Sequence, residues 1–164
     1  MDDVAFALPP EGFTPEGVEA PPGLAFDPRG RPAVTDACTR GAAKLLIGLG
    51  YAPLAEVPLP NGRRADLMAL DQKGRIAIVE VKSSLEDYRS DAKWPEYAPF
   101  CDRFFFAVNC DFPRAVLPDG CGLIICDGFG GEVMTPAVET PLAPARRKAL
   151  TLHIARLAAW RALR

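Results

Sequence analysis

The chain has 164 residues, of which 49% are hydrophobic and 24% charged, and its formal net charge is −2. Such a chain can bury a core without disulfide or metal crosslinks, so its composition excludes collagen, coiled coils, small disulfide scaffolds and fully disordered proteins. The small acidic excess is not typical of an avid non-specific DNA binder, and neither a membrane helix nor a signal peptide is visible, so we expect a cytoplasmic protein without membrane association.

The charges are distributed unevenly along the chain. Residues 1–33 contain six acids, two arginines and seven of the 17 prolines, with no periodic pattern of large apolar residues. We predict a flexible, acidic, proline-rich N-terminal segment over 1–33 and one folded domain over 34–164. Six bases and no acid follow Glu139, so a modest basic surface is expected on the folded part.

The five cysteines stand at irregular spacings, without a CxxC pair, and the only histidine in the sequence is His153. A zinc site needs about four clustered nitrogen or sulfur ligands, which this sequence does not offer. Four of the cysteines would suffice for an iron–sulfur cluster, but we interpret all five as small hydrophobic side chains in a reducing compartment.

Helical spacing of apolar residues begins after Thr35 or Asp36, either of which can cap a helix, and Gly50 ends this first helix. Three predicted strands follow it, at 54–59, 64–70 and 75–82. Pro58 places the first of these strands at an edge of the sheet.

Ser83 and Glu86 have the spacing of a capping box, which predicts a second helix that runs to about Trp94. Two unbroken apolar runs, 104–108 and 122–126, are typical of strands buried on both faces, and glycines at 128, 130 and 131 indicate turns after them. The composition of residues 142–164 predicts a C-terminal helix. This order of elements indicates an α/β fold in which a mixed central sheet is flanked by helices.

Glu80 and Lys82 interrupt the apolar face of the third predicted strand. Alternate residues of a strand face the same side, so both share a face with Ile76 and Ile78. A buried carboxylate or ammonium group costs several kcal/mol unless it is paired or binds a metal. The structural alternative is that the strand leaves the core here and that the two charges form a solvated pair.

Asp66 lies on the preceding strand, and the turn between the two strands decides whether it meets Glu80. If the loop has three residues and Gly74 is left-handed, Asp71 pairs with Arg75, and Asp66 then lies directly opposite Glu80. Two facing carboxylates require a cation, and oxygen ligands without histidine or cysteine favour Mg²⁺ or Mn²⁺. A two-residue loop would place the two acids on opposite faces of the sheet.

These residues resemble the metal site of the PD-(D/E)XK nuclease superfamily, in which an acid on one strand is followed by E-x-K on the next; Ala65 stands where the motif has its proline. The order of helix, three strands, helix and strand also resembles that superfamily's core, which implies a restriction-endonuclease-like fold and hydrolysis of DNA phosphodiesters. The metal ligands implied are Asp66, Glu80 and the Val81 carbonyl. Lys82 would position or deprotonate the attacking water.

Several further blocks are similar to the MmcB family of bacterial DNA-repair proteins, and the similarity runs from Thr35 to the C-terminus. The blocks are Arg63–Asp66, Val79–Ser84, Asp91–Tyr97, Cys101–Val108 and Ala145–Leu150. That family is assigned to the same nuclease-like fold and to DNA repair. DNA is therefore the expected partner, with other repair proteins or a second copy of the chain as further candidates.

Four other residues are candidates for the site. Glu56, on the first strand, resembles a third acidic position of the superfamily, although an edge-strand charge that faces water is an equal alternative. Arg64 and Lys93 are candidates to contact the DNA backbone, and Trp94 is a candidate to stack on an unpaired base. The alternatives are a solvated charge for Lys93 and a core position for Trp94. At Thr39 and the next residue, where many superfamily relatives carry an acid on the first helix, this chain has none.

The sequence is compatible with two functions. The complete Asp/Glu/Lys set favours a metal-dependent endonuclease. The acidic net charge favours a catalytically silent adaptor of the same fold, which would bind DNA or a repair partner. A plain domain with an exposed acid pair would require the family resemblance to be accidental.

Overall fold

A computed structural model describes residues 33–90 and 93–163 of the chain. Its helices and strands, in chain order, are α1 (Ala33–Gly48), β1 (Tyr51–Pro58), β2 (Arg64–Asp71), β3 (Ile76–Lys82), α2 (Leu85–Ser90), β4 (Arg103–Val108), β5 (Gly122–Cys126), β6 (Gly131–Thr135) and α3 (Pro144–Ala162). Two 3₁₀ helices, Trp94–Phe100 and Arg114–Val116, precede β4 and β5 respectively. The N-terminal segment predicted over 1–33 falls outside the described residues except for Ala33.

The six strands form one sheet, and their order in the sheet is the same as their order in the chain. β1, β2 and β3 make an antiparallel meander, β3, β4 and β5 are parallel, and β6 returns antiparallel to β5. β3 and β4 are buried along their whole length because both faces of the sheet are covered. The predicted mixed sheet is confirmed, with β1 at an edge, and so is the order of helix, three strands, helix and strand that the superfamily resemblance implies.

Two clusters of buried apolar side chains cover the two faces of the sheet. The first, which α1 covers, contains Cys38, Ala42, Leu46, Leu67, Val79 and Phe105. The second, which α3 and the first 3₁₀ helix cover, contains Met68, Ile78, Tyr97, Phe106, Leu150 and Ile154. Neighbouring residues of β3 therefore contribute to opposite clusters, as the two-residue period of a strand requires.

After β5, the glycines predicted turns but no further strand. This prediction was wrong, because the strand β6 follows the turn. The glycines after β5 do form a turn, but Gly131 then begins a five-residue strand. Glu132, Met134 and Thr135 of this strand are exposed. A short edge strand of this kind lacks the apolar run by which β4 and β5 were predicted.

The second helix does not reach Trp94, near which its end was predicted. The structure describes α2 over Leu85–Ser90, Lys93 lies in a turn, and Trp94 begins the 3₁₀ helix Trp94–Phe100. Pro95 has no N–H to donate and its ring obstructs the preceding turn, so an α-helix cannot continue through it.

The cap of α2 also lies one residue later than predicted. The Asp87 N–H donates to Ser84 Oγ (3.1 Å), and the Asp87 carboxylate accepts a hydrogen bond from the Ser83 N–H (3.0 Å). β3 continues to Lys82, which leaves Ser83 in the connection and Ser84 at the cap. The predicted pairing of Ser83 with Glu86 was therefore wrong, although Ser84 caps the helix and Asp87 holds the residue before it.

Four of the five cysteines are buried, as expected of the small hydrophobic side chains that were predicted, and all five are free thiols. The prediction was wrong for Cys110, which is exposed. Burial raises the pKa of Cys101 to about 12 and that of Cys121 to about 11. Both thiols therefore remain protonated and unreactive near neutral pH.

Asp102, immediately before β4, joins three distant segments of the chain. Its carboxylate accepts hydrogen bonds from the N–H groups of Ile76 (2.7 Å) and Leu142 (2.9 Å). It also forms a two-pronged ion pair with Arg147 of α3, with N–O distances of 2.6 and 2.7 Å. Arg147 donates in addition to the Gly74 carbonyl (2.8 Å). The start of α3 is thereby attached to the β2–β3 hairpin.

Gly41→Ala should lower the free energy of unfolding by about 2 kcal/mol. A Cβ at Gly41 would lie 2.0 Å from the carbonyl oxygen of Asp127 and 2.3 Å from that of Gly130, so α1 would have to move away from the β5–β6 turn. Gly48 of the same helix has no atom within 4 Å of such a Cβ, so Gly48→Ala should instead stabilise the protein by up to about 1 kcal/mol. Urea unfolding measures both, and equal effects would contradict the close approach at Gly41.

Candidate active site

The turn between β2 and β3 has the predicted length. Gly74 has a φ of +78°, its N–H donates to the Asp71 carbonyl (3.0 Å), and the Asp71 N–H donates to the Arg75 carbonyl (3.0 Å). The Asp71 carboxylate accepts three further hydrogen bonds, from the backbone N–H groups of Lys73 (2.9 Å) and Arg75 (2.8 Å) and from Arg75 Nε (2.6 Å). Glycine adopts this left-handed conformation without the steric cost of a Cβ. The three-residue loop and the pairing of Asp71 with Arg75 are confirmed.

This register brings Asp66 and Glu80 together. Leu67 pairs with Val79, and Asp66 and Glu80 are the next residues on the two strands. The Asp66 N–H donates to Glu80 Oε1 (3.2 Å), and the Val81 N–H donates to Asp66 Oδ2 (2.9 Å). The two carboxylates thus replace backbone carbonyls as acceptors where the regular ladder between β2 and β3 ends.

The charged side chains of Glu80 and Lys82 in β3 are buried. Glu80 and Lys82 are each only 4% exposed, and Asp66 is half-buried. Lys82 pairs with Val108 of β4, so β3 is still inside the sheet at this point. The alternative of a solvated pair at an emerging strand end is therefore wrong. Charged groups kept at such depth are typical of functional sites, because burial without compensation costs several kcal/mol.

Glu56 lies on the neighbouring strand, at an irregular point of β1. It interrupts the regular pairing of β1 with β2 and lies, by count, opposite Asp66. Its φ of +50° is a left-handed conformation, which costs a residue with a Cβ about 1–2 kcal/mol. Its carboxylate lies 3.6 Å from the Arg64 guanidinium, at the surface. Strained backbone of this kind is concentrated near functional sites.

The oxygen donors of the hairpin are of the chemical type that Mg²⁺ or Mn²⁺ prefers. Mg²⁺ keeps several of its waters and is commonly bound through one or two carboxylates, the number that Asp66 and Glu80 would supply. The Val81 carbonyl lies on the chain between Glu80 and Lys82 and adds an oxygen of the same hard type. Within 33–90 and 93–163, no three His, Cys, Asp or Glu side chains gather closely enough to hold a metal ion. The structure therefore does not bring Glu56 into one cluster with the other two acids.

The candidates for DNA contact differ in their surroundings. Arg64 and Lys93 are exposed, and their contact with DNA stays a prediction. Trp94 packs against Phe104 and Phe106, with ring centroids 5.7 and 6.3 Å apart. These contacts favour the core alternative for Trp94.

Two features of the structure were not predicted from the sequence. Asp36 was interpreted only as a cap, but it is buried inside the first turn of α1, and its Oδ1 has no hydrogen-bond partner among the described residues. Arg161 of α3 donates to the carbonyls of Ala55 and Glu56, the latter at 2.8 Å. No local pattern could reveal that contact, because its partners are 105 residues apart in the chain.

No helix within the described part of the chain combines the length and the hydrophobicity of a membrane span. A search of the curated proteins gave no match. Among solved structures, a protein of unknown function from Silicibacter pomeroyi is 43% identical, with a TM-score of 0.74 over 77% of this chain and 87% of that chain. A repair endonuclease from Pyrococcus abyssi is 21% identical over 38% of this chain and 31% of that chain, with a TM-score of 0.28.

The comparison with protein families gives the clearest result. The family model that describes the MmcB-like DNA repair protein matches residues 27–164. This range contains the whole sheet and all three helices, together with Asp66, Glu80 and Lys82. The resemblance noted in the sequence is confirmed, and the chain belongs to the MmcB-like family of DNA-repair proteins.

Proposed function

We propose that this protein is a nuclease that hydrolyses DNA phosphodiester bonds with Mg²⁺ or Mn²⁺, and that Asp66, Glu80 and Lys82 form its active site. The observation that carries the proposal is the position of Asp66 and Glu80 opposite each other at the end of the β2–β3 ladder, where the Asp66 N–H donates to the Glu80 carboxylate beside a lysine as buried as Glu80. Charge at this depth is costly, and a metal-dependent reaction provides a reason to retain it. Membership of a DNA-repair family supports DNA as the substrate.

In this proposal, Asp66, Glu80 and the Val81 carbonyl hold the ion, which when bound supplies a Lewis acid for the charge on the scissile phosphate. Lys82 orients the attacking water and takes up its proton when the amine is neutral. The Val81 N–H positions Asp66, and the Asp66 N–H positions Glu80. Neither carboxylate therefore has to reorganise when the substrate arrives, which is the advantage of a preorganised site.

The test is to incubate the purified protein with branched, flapped, single-stranded and duplex DNA in Mg²⁺, Mn²⁺ or EDTA. We expect cleavage of at least one substrate with either ion and none in EDTA. Each ion should also raise the melting temperature, because a ligand that binds only the folded state stabilises it by RT ln(1 + [L]/Kd). A protein that neither cleaves any substrate nor responds to either ion would contradict the proposal.

A catalytically silent adaptor is the second candidate. The net charge of −2 favours it, and so does the lack of a three-acid cluster in the part of the chain that the structure describes. Such an adaptor would hold DNA, another repair protein or a second copy of the chain. Two results together would favour the adaptor over the nuclease: DNA binding without cleavage in the presence of either ion, and a melting temperature that neither ion changes.

A further inference from the structure

The C-terminal helix α3 is strongly basic. It contains five arginine or lysine residues and no acid. Arg147 pairs with Asp102, but Arg146 and Arg161 donate to backbone carbonyls, which have no net charge. The other two bases are exposed. Most of the positive charge of α3 is therefore not neutralised by acids within the described residues.

One flank of α3 forms a stripe that is largely exposed, although its half-buried member, His153, shares a hydrogen bond between Nε2 and the Pro58 carbonyl of β1 (2.8 Å). At 3.6 residues per turn, positions 146, 149, 153, 156 and 160 fall within a sector of about 80° and span about 21 Å. We call these residues the α3 stripe: Arg146, Ala149, His153, Arg156 and Trp160. Leu150 and Ile154 lie on the adjacent face and are buried against the sheet. The stripe is therefore the part of α3 that combines cations with an accessible aromatic ring.

Trp160 is the chemically distinctive member of the α3 stripe. Its side chain is 58% exposed, although tryptophan is usually largely buried. The Arg156 guanidinium lies 5.2 Å from the centre of its ring. An aromatic platform beside cations is the combination with which proteins bind single-stranded nucleic acid, because every unpaired base has a face that can stack. Bases in a duplex are already stacked on each other and cannot use such a platform.

The α3 stripe ends close to the candidate active site. Arg161, the residue after Trp160, donates to the Glu56 carbonyl, and Glu56 lies by count opposite Asp66. Neighbouring strands are about 4.8 Å apart, so the Glu56 backbone, which the Arg161 side chain contacts, lies about one strand spacing from the Asp66 backbone. A DNA strand on the stripe would therefore reach the site.

We infer that the α3 stripe binds single-stranded DNA, with an unpaired base on Trp160, and delivers the strand to Asp66 and Glu80. This inference rests on the proposed function and specifies its substrate as DNA with an unpaired region. Charge favours DNA over a second copy of the chain, because two α3 helices side by side would bring cations of the same sign together.

The experiment measures DNA binding in EDTA by fluorescence anisotropy, with single-stranded and duplex oligonucleotides of about 16 nucleotides. The single strand should bind more tightly than the duplex. Trp160→Ala should weaken single-strand binding about tenfold, whereas Trp160→Phe should retain most of it. Arg156→Ala should reduce the slope of log K against log salt by about 0.7. Leu152→Ala is the matched control, because Leu152 is exposed on the same helix but outside the stripe.

Fluorescence provides an independent readout, because Trp94 and Trp160 are the two tryptophans of the chain. In a Trp94→Phe variant, the remaining emission comes from Trp160 and should be quenched by the single strand. Emission that does not change on saturation with the single strand would contradict stacking on Trp160.

The outcomes separate this inference from the proposed nuclease activity. Binding is measured in EDTA, so a Trp160-dependent affinity supports the stripe even if no DNA is ever cleaved. Unchanged affinity in a folded Trp160→Ala protein overturns the inference even if cleavage occurs. A dimer by light scattering that Trp160→Ala converts to a monomer would assign the stripe to a second copy of the chain and overturn it as well.

Discussion

Asp102→Ala should lower the free energy of unfolding by about 3 kcal/mol, the cost of leaving one partner of a buried ion pair without its counter-charge. The Asp102 side chain is 2% exposed and accepts four hydrogen bonds, two of them from Arg147. Without the carboxylate, these donors lose their acceptor, and the attachment of α3 to the β2–β3 hairpin is reduced to the hydrogen bond from Arg147 to the Gly74 carbonyl. Asp102→Asn should cost nearly as much, because its NH₂ group would face N–H donors. Urea unfolding at neutral pH measures both changes.

The pH dependence tests the electrostatic part of this expectation. Burial alone would raise the pKa of Asp102, but hydrogen bonds from Arg147, Ile76 and Leu142 outweigh it and hold the pKa below its ordinary value. A carboxylate of this kind stabilises the fold above its unfolded-state pKa of about 3.9 and loses that contribution as the pH falls through the folded value.

The stability difference between wild type and Asp102→Asn should therefore be constant between about pH 5 and 8 and shrink below about pH 4. Asp119→Asn, in an exposed loop, is the control and should follow the wild type throughout. A difference that persists undiminished into acid would mean that packing, and not charge, accounts for the effect of Asp102.

Asp66→Asn, Glu80→Gln and Lys82→Ala should each reduce DNA cleavage by at least about a hundredfold. The three side chains act on one reaction centre, so double variants should lose little more than single ones. The amide variants keep an oxygen that can accept the N–H of Val81 or of Asp66, so the fold should be retained. Glu86→Gln, an exposed acid of α2, should cleave like the wild type. Full activity in any of the first three would remove that residue from the site.

Thermal melts separate lost chemistry from lost folding in these variants. In EDTA, Asp66→Asn should melt at the wild-type temperature or slightly above it, because one of two adjacent carboxylate charges is gone. Mg²⁺ or Mn²⁺ should raise the melting temperature of the wild type more than that of Asp66→Asn. Equal responses in the two proteins would show that Asp66 is not a ligand, and the adaptor would then be the better interpretation.

The site hairpin could be predicted because its register depends on residues that are close in sequence. A left-handed Gly74 sets a three-residue loop, and counting from Asp71 and Arg75 then places Asp66 opposite Glu80. The strands β4 and β5 were equally predictable, because a strand buried on both faces needs an unbroken apolar run.

The parts that could not be predicted depend on contacts between distant residues. The two tryptophans are an example: Trp94 packs on Phe104 and Phe106, while Trp160 remains at the surface, and their local sequences do not distinguish them. The anchoring of Arg161 on the irregular point of β1 depends in the same way on where α3 crosses the sheet. Tertiary packing, rather than local propensity, decides such positions.

The strand order of the sheet has a consequence for how the protein is made. Each new strand pairs with the one synthesised just before it, so the β1–β3 meander can form while β4 is still unmade. Every later strand covers the edge that its predecessor leaves open, and such edges are where nascent chains aggregate. The attachment of Arg147 to Asp102 is made last, when α3 emerges. The sheet therefore grows at one edge during synthesis. The strand that occupies this edge in the finished protein is the short, largely exposed β6.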